Sequence, residues 1–263
     1  MQVVTFQHGI AICGEFPKPE VINAIKEYKK DDPILLSIID PPYGKVTKES
    51  WDNIGEKELV RKLIEVCKEI EALQPFGSAL YVWGGIGKPK YRPFYRFLIE
   101  IEHTSGWQLA NHITWKKKRA YGVQHNYLFT REELAYLVKG AIENPLIFNI
   151  PLLDEKRPYS GYNPKYPAKS EFYRRSNVWT DITEIFRGKL VEAQKPVRVI
   201  KIPIEVHTNP GNIVLDTYAG SGTTAVAAIL LNRRFIIVER DESTFKIALD
   251  RIVQAYKDRA NAM

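Results

Sequence analysis

A short motif, Asp40-Pro41-Pro42-Tyr43, follows a run of apolar residues and carries side chains suited to chemistry. The run 34–39 is apolar at nearly every position, which predicts a buried parallel strand that ends at the motif. Two consecutive prolines remove two backbone donors, so the Asp40 carboxylate and the Pro41 carbonyl form a group of acceptors beside the Tyr43 ring. Such a site fits a planar ligand with an exocyclic amino group. The alternative is an ordinary Asp-Pro turn.

A second motif, residues 215–224, reads Leu-Asp-Thr-Tyr-Ala-Gly-Ser-Gly-Thr-Thr and joins a predicted strand to a predicted helix. Its glycines allow a tight turn in which a ligand approaches the helix N-terminus closely. Glu239 ends the next predicted strand, where an acidic side chain accepts hydrogen bonds from ribose hydroxyls. A Gly-x-Gly pair alone is equally typical of any tight strand-to-helix turn. Because the motif has no third glycine and no phosphate-binding lysine, a nucleoside-bearing ligand without a triphosphate fits best.

The two motifs, in this order along the chain, resemble those of the S-adenosylmethionine-dependent DNA amino-methyltransferases, and in particular their β group. Segments 12–15, 194–196 and 235–239 are also similar to that family, so the resemblance covers most of the chain. It implies S-adenosylmethionine as the cofactor and the tetrapeptide 40–43 as the catalytic residues. The cofactor-binding residues that it implies are Glu15, Lys195, Asp216, Tyr218, Gly220, Gly222, Thr223, Thr224 and Glu239.

The resemblance further implies methyl transfer to the exocyclic N6 amino group of adenine in DNA. Hydrogen bonds from that amino group to Asp40 and Pro41 would favour a pyramidal nitrogen whose lone pair points at the methyl group. Transfer is then direct and depends on positioning and electrostatics rather than on a covalent intermediate. To reach the site the base must leave the duplex, and Tyr43 is the expected stacking partner. No metal ion is required for this reaction.

Three alternatives stay open at this point. Asp-Pro-Pro-Tyr is typical of adenine enzymes and Ser-Pro-Pro-Tyr of cytosine-N4 enzymes, but the correlation has exceptions, so the first alternative is a cytosine-N4 enzyme. The others are an enzyme that acts on RNA or a free base, and a non-catalytic subunit with the same fold. The chain also departs from the family pattern at Tyr218, where Phe is usual, at Glu15, where Asp is usual, and at Pro203, within a segment that is usually helical.

Basic and aromatic residues cluster in two stretches that suit a polyanion. Residues 115–122 place four cations beside aromatic rings, on a predicted loop at the same end as the tetrapeptide, and we interpret 141–190 as a target-recognition insertion. The alternatives are a solvated basic face and a surface meander that covers a sheet edge. The loop 44–53 is expected to move over the flipped base. The expected nucleic-acid-binding residues are Lys116, Lys117, Lys118, Arg119, Tyr121, Arg157, Arg174 and Arg175.

Composition sets only broad limits. The 263 residues carry a net charge of +7, and 44% of them are apolar, which allows a large core and is compatible with a DNA partner without being specific to one. Cys13 and Cys67 are too few for a disulfide framework and lack metal-ligand spacing, so a reducing cytoplasm is expected. No apolar run approaches the length of a membrane span. The family resemblance adds double-stranded DNA, a homodimer and a companion restriction nuclease as expected partners.

The elements that position these motifs predict one α/β domain over residues 1–263, with a Rossmann-like methyltransferase fold. We expect a mixed seven-stranded sheet, helices on both faces and the small insertion. Helical periodicity places Cys67 in the core, Pro203 is expected to kink or end a helix over 195–207, and Asp241 is expected to cap the last helix. Predicted strands cover 3–6, 9–15, 34–39, 79–83, 107–115, 132–139, 212–215 and 234–239.

Overall fold

The computed structural model describes most of the chain. The described residues are 1–43, 54–85, 87, 90–121, 124–125, 127–156, 170–182 and 194–261, with the side chains of 118–121 left out. The predicted mobile loop 44–53 and the predicted DNA contact Arg157 lie outside these residues.

Strands and helices alternate over most of the described chain. The strands are β1 Gln2–Phe6, β2 Gly9–Cys13, β3 Ile34–Ile39, β4 Ala79–Gly84, β5 Trp107–Tyr121, β6 Phe129–Lys139, β7 Leu152–Lys156, β8 Phe172–Arg174, β9 Val178–Trp179, β10 Ile213–Asp216 and β11 Arg234–Glu239. The helices are α1 Pro19–Lys29, α2 Glu56–Leu73, α3 Pro93–Thr104, α4 Val197–His207, α5 Thr223–Leu230 and α6 Glu242–Asn261.

The main sheet has the order β1-β2-β11-β10-β3-β4-β6-β5-β9 among the described residues. Strands β2, β11, β10, β3 and β4 run parallel to one another, and β6 then runs antiparallel to β4. The mixed α/β class is therefore confirmed, but the predicted count of seven strands is two short. Strand β1, which forms a hairpin with β2, corresponds to the predicted strand 3–6, whereas the two-residue β9 was not predicted. A strand of two residues is too short to show an alternating hydrophobic pattern in the sequence.

Helices cover both faces of the sheet, as predicted. Helices α1, α2 and α3 pack against one face, where Cys67 is fully buried in the core as the periodicity indicated. Helices α4, α5 and α6 cover the other face. Burial alone raises the pKa of the Cys67 thiol above its usual range, so this cysteine is a core residue rather than a nucleophile.

Helix α4 continues through Pro203 to His207. Of the two effects expected of Pro203, a kink or the end of the helix, the second is wrong. A proline inside a helix removes one backbone hydrogen bond, but the apolar residues on either side of it, among them Val199, Ile200 and Ile204, are buried in the core. Their burial offsets the lost hydrogen bond, because packing outweighs local propensity in a buried helix.

The segment 141–190 holds short strands, as expected for an irregular insertion. Strands β7 and β8 form a separate antiparallel pair, and β9 extends the main sheet beside β5. Asn149 ties the start of the segment to α4, since its backbone N–H donates to the Val206 carbonyl at 2.8 Å and its side chain to the Glu205 carbonyl at 2.8 Å.

Candidate active site

Asp40 follows β3 at the carboxyl edge of the parallel strands, where α/β sheets bind ligands. The Tyr43 hydroxyl donates to Asp40 Oδ1 at 2.8 Å, and the Lys195 ammonium donates to Asp40 Oδ2. Lys195 is only 6% exposed, while Asp40 is 25% exposed. The predicted catalytic carboxylate therefore has a buried ammonium as its direct partner.

Glu132 on β6 completes this group and was missed by the sequence reasoning. Its Oε2 accepts from Lys195 Nζ at 3.2 Å, and its Oε1 accepts from Lys117 Nζ at 2.5 Å. The Tyr43 hydroxyl lies 3.4 Å from the same Oε2. A polar residue on a strand whose remaining residues are mostly apolar was the available signal, but it does not reveal the partners. We refer to Asp40, Tyr43, Glu132 and Lys195 as the charge cluster.

Burial and opposite charges set the protonation of the charge cluster. Burial raises the pKa of Asp40, and the Lys195 ammonium offsets only part of that rise. Burial also opposes the charge of Glu132, but the ammonium groups of Lys195 and Lys117 outweigh it and lower the pKa of Glu132 to about 2. Burial would lower the pKa of Lys195, yet the two carboxylates raise it above its ordinary value. Glu132 and Lys195 therefore remain ionised at neutral pH.

Aromatic rings enclose the Lys195 ammonium. Its Nζ lies 5.4 Å from the centre of the Tyr43 ring and 5.0 Å from that of Trp83, which are cation–π distances. The glycines that end β4 make room for this arrangement. A Cβ at Gly84 would clash with the Phe94 ring at 2.0 Å, and one at Gly85 would lie 3.0 Å from Tyr43. An apolar cleft lined by Pro41, Pro42, Tyr43, Trp83 and Phe94 adjoins the cluster.

The glycine turn follows β10, the parallel neighbour of β3. Gly220 and Gly222 have φ values of +51° and +74°, a left-handed conformation that favours glycine. A Cβ on Gly220 would meet nothing within 4 Å, so the space before the turn is open. Asp216 fixes the turn from inside, because its carboxylate accepts from the Tyr218 N–H at 2.9 Å and from the Thr224 hydroxyl at 2.5 Å. Burial raises the pKa of Asp216 to about 7.

Glu239 ends β11 on the other side of β10 and also contacts the turn. Its Oε2 accepts from the Gly220 N–H and its Oε1 from the Asp241 N–H, each at 2.8 Å. Asp241 in turn caps α6 as predicted, since its Oδ1 accepts from the Thr244 N–H at 2.7 Å. On the helix side, Arg251 donates to the Thr223 hydroxyl at 3.0 Å. These contacts place most of the predicted cofactor residues around one open turn.

Two predicted cofactor residues have a different setting. Lys195 contacts the charge cluster rather than the glycine turn. Glu15 follows β2 at the same sheet edge, but its exposed carboxylate pairs with Lys18 at 3.0 Å. Tyr218 is half-buried and packs against the core, where burial raises the pKa of its hydroxyl.

The predicted DNA-contact residues separate into several settings. Lys116 and Arg174 are exposed, as a phosphate contact requires, and Arg174 lies over the Phe148 ring at 5.7 Å. Lys117 pairs with Glu132, and Arg175 pairs with Asp181 at 2.5 Å. The remaining basic-stretch side chains (Lys118, Arg119 and Tyr121) are among those that the structure leaves out. The backbone of 115–121 belongs to β5, so the expectation of a loop over these residues is wrong, and residue 122 lies outside the described residues.

The residues around the turn fit a nucleoside-bearing cofactor. Gly220 opens onto free space, Glu239 presents a carboxylate at the end of the neighbouring strand, and the buried Thr217 hydroxyl has no hydrogen-bond partner among the described residues. Asp40, at the end of the strand on the other side of β10, lies near enough to Asp216 to affect its pKa. The described residues contain no group of three or more His, Cys, Asp or Glu that could hold a metal ion. No helix in the described part is long and apolar enough to cross a membrane.

Comparison with known proteins agrees with this geometry. A family model for N6/N4 methyltransferases, described as DNA methylase, matches residues 34–250, which include both motifs. The chain belongs to the N6/N4 DNA methylase family. In this DNA methylase the tetrapeptide 40–43 follows β3 and the glycine turn follows the neighbouring strand β10.

Relatives and solved structures extend the comparison. The type II methyltransferase M2.DpnII of Streptococcus pneumoniae is 27% identical over 247 residues, covering 85% of this chain and 84% of that protein. The DNA adenine methyltransferase YhdJ of Escherichia coli (strain K12) is 27% identical over 255 residues, covering 88% and 80%. Among solved structures, the cytosine-N4-specific PvuII DNA methyltransferase has a TM-score of 0.68 at 17% identity over 98% of this chain and 95% of that chain. The complex of M1.HpyAVI with S-adenosylmethionine has a TM-score of 0.60 at 22% identity, covering 92% and 98%.

Proposed function

We propose that this DNA methylase transfers a methyl group from S-adenosylmethionine to the exocyclic N6 amino group of adenine in double-stranded DNA. One observation carries the proposal. The acceptor group at Asp40 and the open turn at Gly220 follow β3 and β10, which are adjacent parallel strands. A nucleophile held at the first site and a cofactor held at the second would therefore meet at one edge of the sheet.

The amino group of the base is a poor nucleophile, and the protein must make it more reactive. The lone pair of an aromatic amino group is delocalised into the ring, so the nitrogen attacks only when it becomes pyramidal. An ionised Asp40 and the Pro41 carbonyl each accept a hydrogen bond from one N–H of the amino group. These two hydrogen bonds favour the pyramidal nitrogen. As the new nitrogen–carbon bond forms, the nitrogen becomes positively charged, and one of its protons must leave. Asp40 stabilises this charge, and its carboxylate is placed to take the proton and pass it to water.

Gly220, Gly222, Asp216 and Glu239 are the residues that would hold the cofactor. Gly220 and Gly222 keep side chains out of the turn, and Glu239 offers a carboxylate to ribose hydroxyls. When bound, S-adenosylmethionine supplies an electrophilic methyl group, and the carbon–sulfur bond electrons return to sulfur. Asp216 keeps the turn in shape through the Tyr218 N–H and the Thr224 hydroxyl.

Adenine is proposed over cytosine because the tetrapeptide begins with aspartate, and the relative YhdJ carries the name DNA adenine methyltransferase. The test is mass spectrometry of nucleosides from unmethylated genomic DNA that has been incubated with the protein and the cofactor. We expect N6-methyladenine. N4-methylcytosine would identify a cytosine enzyme instead, and the absence of any methylated nucleoside would contradict the proposal. An RNA substrate in a parallel reaction separates a DNA enzyme from an RNA enzyme.

The target base is proposed to flip out of the duplex and stack on Tyr43, whose ring borders the apolar cleft. We assign recognition of the surrounding sequence to the insertion 141–190, within a single methyltransferase domain that spans residues 1–263. Its exposed Arg174 and the exposed Lys116 on β5 are two described cations that suit phosphate contact. A homodimer and a companion restriction nuclease also remain proposals, and the name type II methyltransferase given to M2.DpnII supports the second.

A further inference from the structure

The Lys195 ammonium fills the place at the tetrapeptide where an amino group would bind. It donates to Asp40 Oδ2, lies 3.1 Å from the Tyr43 hydroxyl and lies 3.2 Å from Glu132 Oε2. The rings of Tyr43 and Trp83 enclose it at 5.4 and 5.0 Å. An N–H donor held by the catalytic carboxylate beside an aromatic ring is the arrangement that a flipped base requires.

Lys195 and a bound base would therefore compete for Asp40. The base needs the Asp40 carboxylate as an acceptor for its amino group, and Lys195 already uses one oxygen of that carboxylate. An ammonium that leaves Asp40 must keep a counter-ion, because an unpaired buried charge is costly. Glu132 is suited to that role, since its Oε2 already accepts from Lys195 and it is only 16% exposed. Lys117 on its other oxygen keeps Glu132 ionised.

We propose that Lys195 is a positioning residue that holds the amino-group place at Asp40 until the base arrives, and that Glu132 then receives the displaced ammonium. The inference rests on the proposed function and deepens it. It assigns Lys195 to the base-binding side of the site, whereas the family resemblance placed this residue with the cofactor. It also gives a role to Glu132.

Lys195 and Glu132 have opposite effects on the ionisation of Asp40. The described groups that act on this carboxylate are Lys195 before α4, Glu132 on β6, Tyr43 on its own loop, Asp216 at the end of β10 and, through Glu132, Lys117 on β5. Among the described residues, Lys195 is the positively charged group in direct contact with Asp40. Its removal must therefore make Asp40 harder to ionise, while removal of the Glu132 charge must make Asp40 easier to ionise.

The experiment measures kcat and KM for methyl transfer to unmethylated genomic DNA from pH 5 to 9. We compare the wild type with Lys195→Met, Glu132→Gln and the control Lys201→Met, which removes a half-buried lysine from α4. For Lys195→Met we expect the acid limb of kcat/KM to move up by about one pH unit or more. For Glu132→Gln the acid limb should move down, and KM for DNA should rise because the displaced ammonium has lost its counter-ion. Lys201→Met should follow the wild type.

A purely structural role would not move the two acid limbs in opposite directions. The inference is overturned if Lys195→Met and Glu132→Gln keep the pH profile of the wild type, or if both profiles shift the same way. Lys195→Arg preserves the positive charge, so the acid limb of its kcat/KM profile should lie at the same pH as in the wild type. If Lys195→Met does not fold, the Arg and Gln variants still decide the question.

Cofactor affinity gives a second readout, which does not depend on turnover. Isothermal titration calorimetry with S-adenosylmethionine should give the same affinity for Lys195→Met as for the wild type, within about twofold. A loss of tenfold or more, about 1.4 kcal/mol, would return Lys195 to the cofactor site and contradict the inference. A wild-type protein that methylates no amino group would contradict the proposed function, whereas an active wild type with unchanged variant profiles would contradict the inference alone.

Discussion

Asp40 follows β3 and Asp216 ends the neighbouring parallel strand β10. The hydrogen-bond partners of Asp216 are close to it in the chain, whereas one partner of Asp40 is distant. The carboxylate of Asp216 is held by its own turn, through the Tyr218 N–H and the Thr224 hydroxyl, two and eight residues away. The carboxylate of Asp40 is held by Lys195, 155 residues away, as well as by Tyr43. Local partners fix Asp216 as part of a turn, whereas a distant ammonium can leave Asp40 without unfolding the loop that carries it.

Charge separates the two sites as well. Burial raises the pKa of Asp216 to about 7. Its described hydrogen-bond donors are neutral, so they offset only part of that rise. Burial also raises the pKa of Asp40, but there the Lys195 ammonium works against it. The two aspartates therefore differ in their surroundings: the described donors to Asp216 are uncharged, whereas Asp40 is paired with an ammonium.

The largest expected effect comes from removing the charge of Asp40. Asp40→Asn should lower kcat for methyl transfer by on the order of 10²–10⁴-fold, because the amide carries no charge and takes no proton. Asp216→Asn is the matched control on the neighbouring strand, since its amide oxygen can still accept from the Tyr218 N–H. Incorporation of labelled methyl groups into DNA measures both variants. Equal losses for the two would contradict the division of roles between them.

A smaller effect is expected from filling the open side of the glycine turn. Gly220→Trp should weaken S-adenosylmethionine binding by on the order of 100-fold, or about 2.7 kcal/mol, because its side chain would occupy the space proposed for the cofactor. Gly211→Trp is the matched control: Gly211 also has a positive φ, at +86°, and open space around it, but it precedes β10. Calorimetry should find wild-type affinity for the Gly211 variant. Unchanged affinity in the Gly220 variant would refute the placement of the cofactor.

The smallest effect concerns stability and pH. The folded protein holds a proton on Asp216 up to a pKa of about 7, whereas an unfolded Asp has a pKa of about 3.9. Stability from this group is thus fully present below about pH 4 and declines as the pH rises through 7. Asp216→Asn stays neutral throughout. The melting temperature of the wild type relative to that of this variant should therefore fall between pH 5 and pH 8 without cofactor, by up to roughly 8 °C at about 1.4 kcal/mol per pH unit and about 3 °C per kcal/mol.

A melting-temperature difference that stays constant with pH would show that Asp216 is ionised in the folded protein. In that case the contrast between the two aspartates would lie only in their partners.

The sequence predicted the central elements well, because each one carries its own signal. The run 34–39 became β3 at the predicted bounds, and residues 234–239 became β11. Predictions failed where tertiary contacts outweigh local preference. Pro203 does not end α4, because the surrounding side chains are buried, and residues 115–121 continue β5, because they pair with β6.

The sequence by itself determined the two motifs, their order and the strand ends on which they lie, since a buried strand followed by a tight turn depends on neighbouring residues. Only the tertiary structure decided which charges face Asp40. Glu132 on β6 pairs with Lys117 from β5 and with Lys195 from the segment before α4. A lone Glu in a strand or a Lys before a proline has no local pattern that names its partner. Electrostatic pairing acts through space, so it emerges only once the sheet has brought these strands together.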